Sequence, residues 1–124
     1  MGLFSGLLGI ESETDVEKVQ ESLEEILGDE ERVTLAYKLI RDLFVFTNKR
    51  LIIINKQGIT GKKTDYHSIP YRSISHFRVE SAGHFDIDSE LKIWLSSTDE
   101  PIVTEFKSST NLIAVQKALA NFVL

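Results

Sequence analysis

The sequence predicts a mainly β fold of the α+β class: seven antiparallel strands with a helix before them and a helix after them. Three observations predict it. Apolar residues recur with a period of two through the middle of the chain, and polar or glycine-bearing pairs interrupt that pattern at short intervals. A helical spacing of three and four appears only at the two ends. With 124 residues the chain has the size of one domain, here divided into a helical segment (1–28), a seven-stranded body (32–108) and a closing helix (109–124).

The first ten residues, MGLFSGLLGI, place Leu3, Phe4, Leu7, Leu8 and Ile10 on one side of a short amphipathic prefix, which its three glycines weaken. A better helix follows. Thr14 and Glu17 read as a capping box, and Val16, Val19, Leu23, Ile26 and Leu27 form a stripe that Gly28 stops. From Val33 the period changes: Val33, Leu35, Tyr37 and Leu39 alternate with Thr34, Ala36 and Lys38, a half-buried strand. Arg41-Asp42 connects it to a second strand at 43–47, Asn48-Lys49 turns into a third at 51–55, and Gly58 and Gly61 supply the next reversal. Residues 63–69 make the fourth strand, with Pro70 at its end because proline donates nothing to a ladder. Segments 74–82, 90–97 and 102–107 complete the set. Ser109 or Thr110 caps the last helix, whose apolar side is Leu112, Val115, Leu119, Phe122 and Val123.

Composition narrows the function classes. An apolar share of 42% and a charged share of 27% are those of an ordinary globular protein. The absence of cysteine excludes disulfides, thiol nucleophiles and thiolate metal sites. The formal net charge of -5 is unevenly spread: residues 11–31 hold ten acids against Lys18, and the chain from Arg32 onward is mildly basic. Such an acidic helix is either a solvated face or a surface that packs on a basic neighbour, within the molecule or between copies. No stretch approaches the roughly 20 apolar residues that span a bilayer. The start lacks a cationic signal-peptide region, and Gly6 stands where myristoylation wants Ser or Thr. A cytoplasmic location is expected.

The run FTNKRLIIINKQGITGKKxxYHSIPYxSI, from Phe46 to Ile74, closely resembles the bacterial pleckstrin-homology (PH)-like family, long catalogued as a domain of unknown function. The resemblance continues through Phe77, Val79 and Glu80, the Ala82-Gly83-His84-Phe85-Asp86 turn, Glu90-Leu91-Lys92-Ile93-Trp94 and the C-terminal helix. It implies a PH-like split barrel of two bent sheets with a C-terminal capping helix, to which the N-terminal helix is an addition. It also implies a scaffold without catalytic activity or cofactor, and members that assemble as cyclic homo-oligomers, with the pentamer as a candidate size.

Motifs that suggest chemistry fail on spacing. Gly58 to Lys63 looks like a phosphate-binding loop, but two residues separate its glycines where four are needed, and Lys63 rather than Ser or Thr follows Lys62. The same GxxG lacks the helices that flank it in KH domains. His67, His76 and His84 match no metal spacing, and Asp86, Asp88 and Glu90 lack the glycine and distal glutamate of a calcium loop. No GxSxG elbow or triad order is present.

Two candidate surfaces remain. Lys49, Arg50, Lys56, Lys62 and Lys63 give five bases without an intervening acid, a candidate contact, alternatively with the apolar Leu3, Phe4, Leu7 and Leu8 prefix, for anionic lipid headgroups at a membrane surface, or else charged hairpin ends that keep strands soluble. In the phosphoinositide-binding PH domains the basic residues lie on the loop between the first two strands, and Arg41-Asp42 is too short for that. Nucleic acid is not expected, because the chain is acidic overall and aromatics do not interleave with the bases. The second surface comes from strands apolar on both faces: Phe44, Phe46, Ile52 and Ile54 have apolar neighbours on either side, and Trp94 must oppose Leu91, Ile93 and Leu95. These five residues are the candidate contact with another copy of the chain or with an unidentified protein partner. The competing use of the surplus apolar face is to seat the chain's own N-terminal helix.

Overall fold

A computed structural model of the chain describes residues 15–39, 42–57, 63–80, 89–106 and 112–124. Helix α1 spans Val16–Ser22, followed by strands β1 (Val33–Lys38), β2 (Asp42–Thr47), β3 (Arg50–Gln57) and β4 (Lys63–Pro70). A 3-10 turn at Tyr71–Ser73 leads to β5 (Ile74–Glu80), β6 (Ser89–Leu95) and β7 (Ile102–Phe106), and helix α2 (Leu112–Val123) closes the order. The expected seven strands and two helices are all present. Within each of two sheets, in the orders β1-β2-β3-β4 and β5-β6-β7, every strand pairs antiparallel with its neighbour in sequence; β4 and β5 belong to different sheets. Pro70 ends β4 as expected and caps the 3-10 turn, where its missing N–H breaks no further pairing.

The principal core lies between the sheets and under α2. Phe44 and Phe46 from β2, Leu51 and Ile53 from β3, Leu91 and Ile93 from β6, and Leu112, Val115 and Leu119 from α2 all belong to it. An aromatic column ties α2 to the first sheet: Tyr71 stacks on Phe122 at 5.0 Å and Phe122 on Phe46 at 5.6 Å. Tyr37 meets Phe46 edge-on at 6.1 Å, a favoured aromatic geometry.

A second cluster fills the other face of the four-stranded sheet. Val19 and Leu23 from α1 and the turn after it pack with Val33, Ala36, Leu43, Val45, Ile52 and Ile54. The doubly apolar strands are therefore explained within one chain: one face enters the core and the other carries α1. Strand β1 corrects the simple alternation. A register shift between Val33 and Leu35 turns Val33 to the α1 side with Ala36, while Leu35, Tyr37 and Leu39 face the principal core. An inserted bulge residue reverses the facing of what precedes it.

Helix α1 is also shorter than the stripe to Gly28 suggested. Its N-cap is Asp15, whose carboxylate accepts from the Lys18 amide at 3.1 Å. Backbone groups beyond Ser22 are diverted: the Ile26 carbonyl accepts from Arg50, and the Gly28 amide donates to Glu31. A chain whose polar groups are satisfied this way has no need to continue the helix. Asp15→Ala should cost about 1 kcal/mol. The check is hydrogen exchange, which should quicken at the Val19 and Leu23 amides, both bonded within this turn, and leave β2 and β3 unchanged.

Several expectations fall outside the described residues: the apolar prefix, Thr14, Arg41, the Gly58 and Gly61 turn, the Ala82 to Asp86 turn, and the Ser109 or Thr110 cap.

Candidate functional site

The basic residues do not form one patch. Arg50 opens β3 opposite Pro70, and Gln57 at the other end of the strand pairs with Lys63. At about 3.4 Å per residue, exposed Lys49 and exposed Lys63 stand on the order of 20 Å apart. Lys56 pairs in register with Thr64, and Lys62 lies outside the described residues.

Arg50 is already occupied. Its Nε donates to Glu31 Oε2 at 2.8 Å and its Nη2 to Glu31 Oε1 at 3.0 Å, a two-point ion pair. Nη2 also reaches the Ile26 carbonyl at 2.8 Å, and Nη1 reaches Ser68 Oγ at 2.7 Å. Glu31 is the deeper partner, its side chain 2% exposed against 24% for Arg50. It further accepts from the Thr47 hydroxyl at 2.6 Å and from the Gly28 amide at 2.8 Å. Burial pushes the Glu31 carboxyl up, but these hydrogen bonds and the guanidinium charge outweigh it and hold the group at about 2. Asn48 completes the fastening: its Oδ1 accepts from the Arg32 amide at 2.7 Å, and its Nδ2 donates to the Glu30 carbonyl at 3.1 Å. The arrangement binds the segment after α1 to the β2–β3 hairpin. Arg50 thus belongs to structure, a correction to its place among candidate anion contacts. Glu31, counted from sequence only among the ten acids of a segment read as either solvated or packed on a basic neighbour, is a residue that reading did not single out, and it takes the second course within the molecule. Its only sequence signal is three-residue spacing from Gly28, which many surface turns share.

The nearby Tyr71 phenol donates to the Thr47 carbonyl. Burial pushes it above its ordinary range, with the Glu31 charge adding to the effect.

The candidate interface residues divide. Phe44, Phe46, Ile52 and Ile54 are fully buried, the first two in the principal core and the last two beneath α1. They offer no surface to a second chain, because cores on both sides of the sheet have taken them up. Trp94 differs. It sits on the outer face of the three-stranded sheet, opposite His76 in register, and the two rings stack with centroids 4.4 Å apart and planes 15° from parallel. The Arg78 guanidinium lies 5.9 Å from the indole centroid, within cation–π range. Val103, 49% exposed, shares this face through its pairing with Lys92. Lys92, opposite Arg78 in register, lies 3.9 Å from both Glu80 and Glu90, and exposed Glu105 stands opposite Glu90 on the same face. The face thus has an aromatic end at His76 and Trp94, two bases beside it and three acids beyond them. Sequence alternation places Trp94 outside; only the β5–β6 register brings His76 and Arg78 to it.

Among the described residues no cluster of His, Asp and Glu is arranged to hold a metal, and no helix is long and apolar enough to cross a membrane. His67 and His76 are exposed on separate sheets, and His84, Asp86 and Asp88 lie outside the described residues.

Comparison with known proteins covers nearly the whole chain. Residues 2–123 match the family model described as Bacterial PH domain. The uncharacterized protein YjqA of Bacillus subtilis is 55% identical over 121 residues, which are 97% of either chain. Among solved structures, the pleckstrin homology domain from Shewanella amazonensis superposes with a TM-score of 0.81 at 56% identity, covering 88% of this chain and 98% of that one. A DUF1696 family protein with a pleckstrin-homology domain from Shewanella loihica gives 0.79 at 53% identity, covering 91% and 97%.

Proposed function

The chain belongs to the bacterial PH domain family, and on that premise we propose that it is a non-enzymatic interaction module that assembles with copies of itself into a closed ring in the cytoplasm. The observation that carries this reading is Trp94: a large aromatic side chain on an outer sheet face, backed by His76 and Arg78, with no element of its own chain described over it. Indole and guanidinium groups are enriched among the few residues that supply most of the energy of protein contacts. The internal burial of Phe44, Phe46, Ile52 and Ile54 concentrates the reading on this face. An anionic membrane surface draws less support, because Arg50 is engaged by Glu31 and Lys49 and Lys63 point from opposite ends of one hairpin.

Trp94→Asp is expected to weaken assembly by at least about tenfold, since a charge replaces an interface aromatic. Size-exclusion chromatography with light scattering measures it. An unchanged mass for the variant across a dilution series sinks the proposal.

A further inference from the structure

We infer that the β2–β3 turn is a coupling joint: through Thr47 and Tyr71 it makes the docking of helix α1 on one face of the four-stranded sheet and the seating of helix α2 on the other depend on each other. Such a joint acts within one chain, whatever that chain assembles with.

The two helices lie on opposite faces of that sheet. Val19 and Leu23 of the α1 segment pack on Val45, Ile52 and Ile54, whereas Leu112, Val115 and Leu119 of α2 belong to the principal core with Phe44 and Phe46. The two clusters share no residue. What joins them is a run of polar and ring contacts that passes through Thr47.

Thr47 meets both sides. Its hydroxyl oxygen accepts from the Lys49 and Arg50 amides at 3.0 and 2.9 Å, which fixes the side chain in the turn. The single hydroxyl proton has two acceptors within reach, Glu31 Oε2 at 2.6 Å and the Arg50 carbonyl at 3.1 Å. With α1 docked, the shorter, charge-assisted bond to the carboxylate takes the proton. With the segment lifted, Glu31 withdraws and the proton turns to the Arg50 carbonyl. The hydroxyl is satisfied in either arrangement, which gives the turn two discrete states. While α1 is docked Thr47 is fully buried, so no water stands in for Glu31.

The carbonyl of the same residue accepts from the Tyr71 phenol. Tyr71 stacks on Phe122 at 5.0 Å, and Phe122 on Phe46 at 5.6 Å. A shift of the Thr47 peptide therefore moves the group that holds Tyr71, and Tyr71 carries the last turn of α2. Coupling of this kind is reciprocal: a partner that holds α1 down tightens α2, and one that grips α2 tightens α1.

A double-variant cycle on the full chain tests this. Leu23→Ala removes a buried anchor of α1, Phe122→Ala removes the ring through which α2 meets Tyr71, and urea titration reads the folding equilibrium of each variant and of the pair. The pair should fall short of the product of the two losses by about fivefold, because loosening one helix has already loosened the other. Residues without contact or a shared partner combine to within about twofold. Val19→Ala, a smaller truncation of the same helix, repeats the cycle and should give the same shortfall. Tyr71→Phe keeps the ring against Phe122 and removes only the hydroxyl that holds Thr47, so in that background the shortfall should drop below about twofold. Losses that simply multiply in both cycles, or a shortfall that persists with Tyr71→Phe, overturn the joint.

Discussion

Arg50→Ala is expected to destabilise the protein by about 3 kcal/mol at neutral pH, because it strands a buried carboxylate. The guanidinium supplies both donors of the two-point bond to Glu31, and it also satisfies the Ile26 carbonyl. With it gone, the Glu31 side chain, 2% exposed, keeps only the Thr47 hydroxyl and the Gly28 amide. The pH dependence separates parent from variant. In the parent, Glu31 is depressed from 4.5 to about 2, so its contribution is fully present above pH 4.5 and is lost as the pH falls through about 2. A depression of that size corresponds to about 3 kcal/mol across the window. In the variant burial meets less opposition, so the penalty is greatest at neutral pH and shrinks as Glu31 takes up a proton. Urea titrations at pH 7 and pH 3.5 measure this. A loss under 1 kcal/mol at pH 7 (about fivefold in the folding equilibrium), or the same gap at both pH values, contradicts the account.

Phe46→Ala should cost about 3 to 5 kcal/mol, the range for removing a buried ring from a core that cannot fully collapse. Phe46 is fully buried and joins three other rings, stacking on Phe122 and meeting Tyr37 and Phe44 at angles. Because Phe122 is only partly buried, Phe122→Ala should cost less. The double variant should fall short of the sum by about 1 kcal/mol, the energy assigned to a ring pair beyond its area. Strict additivity, or a loss for Phe46→Ala near that of a surface substitution, rules out the column as the link between α2 and the sheet.

Much of the fold was legible in the residues. The change from a helical spacing to a period of two at Val33 marks where α1 gives way to the sheet, and the turn at Asn48-Lys49 forms where its polar pair stands. These signals are local: they depend on backbone preference and on which side of a single element is apolar. The end of α1 was harder to place, because the groups that end it are bonded by Glu31, three residues beyond Gly28, and by Arg50, 24 residues beyond Ile26.

The candidate site was legible only in part. Alternation alone puts Trp94 opposite Leu91 and Ile93, and alternation alone shows that β2 and β3 are apolar on both faces. It does not say what covers the second face. Val45 and Ile52 have the same side-chain character whether they meet a second copy or the helix of their own chain, and sequence pattern carries no information about which arrives. The structure decided it in favour of α1, because Val19 and Leu23 reach that face while the Glu31–Arg50 pair holds the connecting segment against the hairpin.

By itself, then, the sequence determined the element order, the antiparallel connections, the apolar faces and the family, since each is written in short-range spacing or contiguous motif. Tertiary structure alone decided that Arg50 is a fastening rather than a ligand contact, that Glu31 is buried, and that His76 and Arg78 flank Trp94. The reason is common to all three. Burial and pairing of a charged or aromatic group depend on partners distant in sequence, and those partners meet only when strand register and sheet packing bring them to one place.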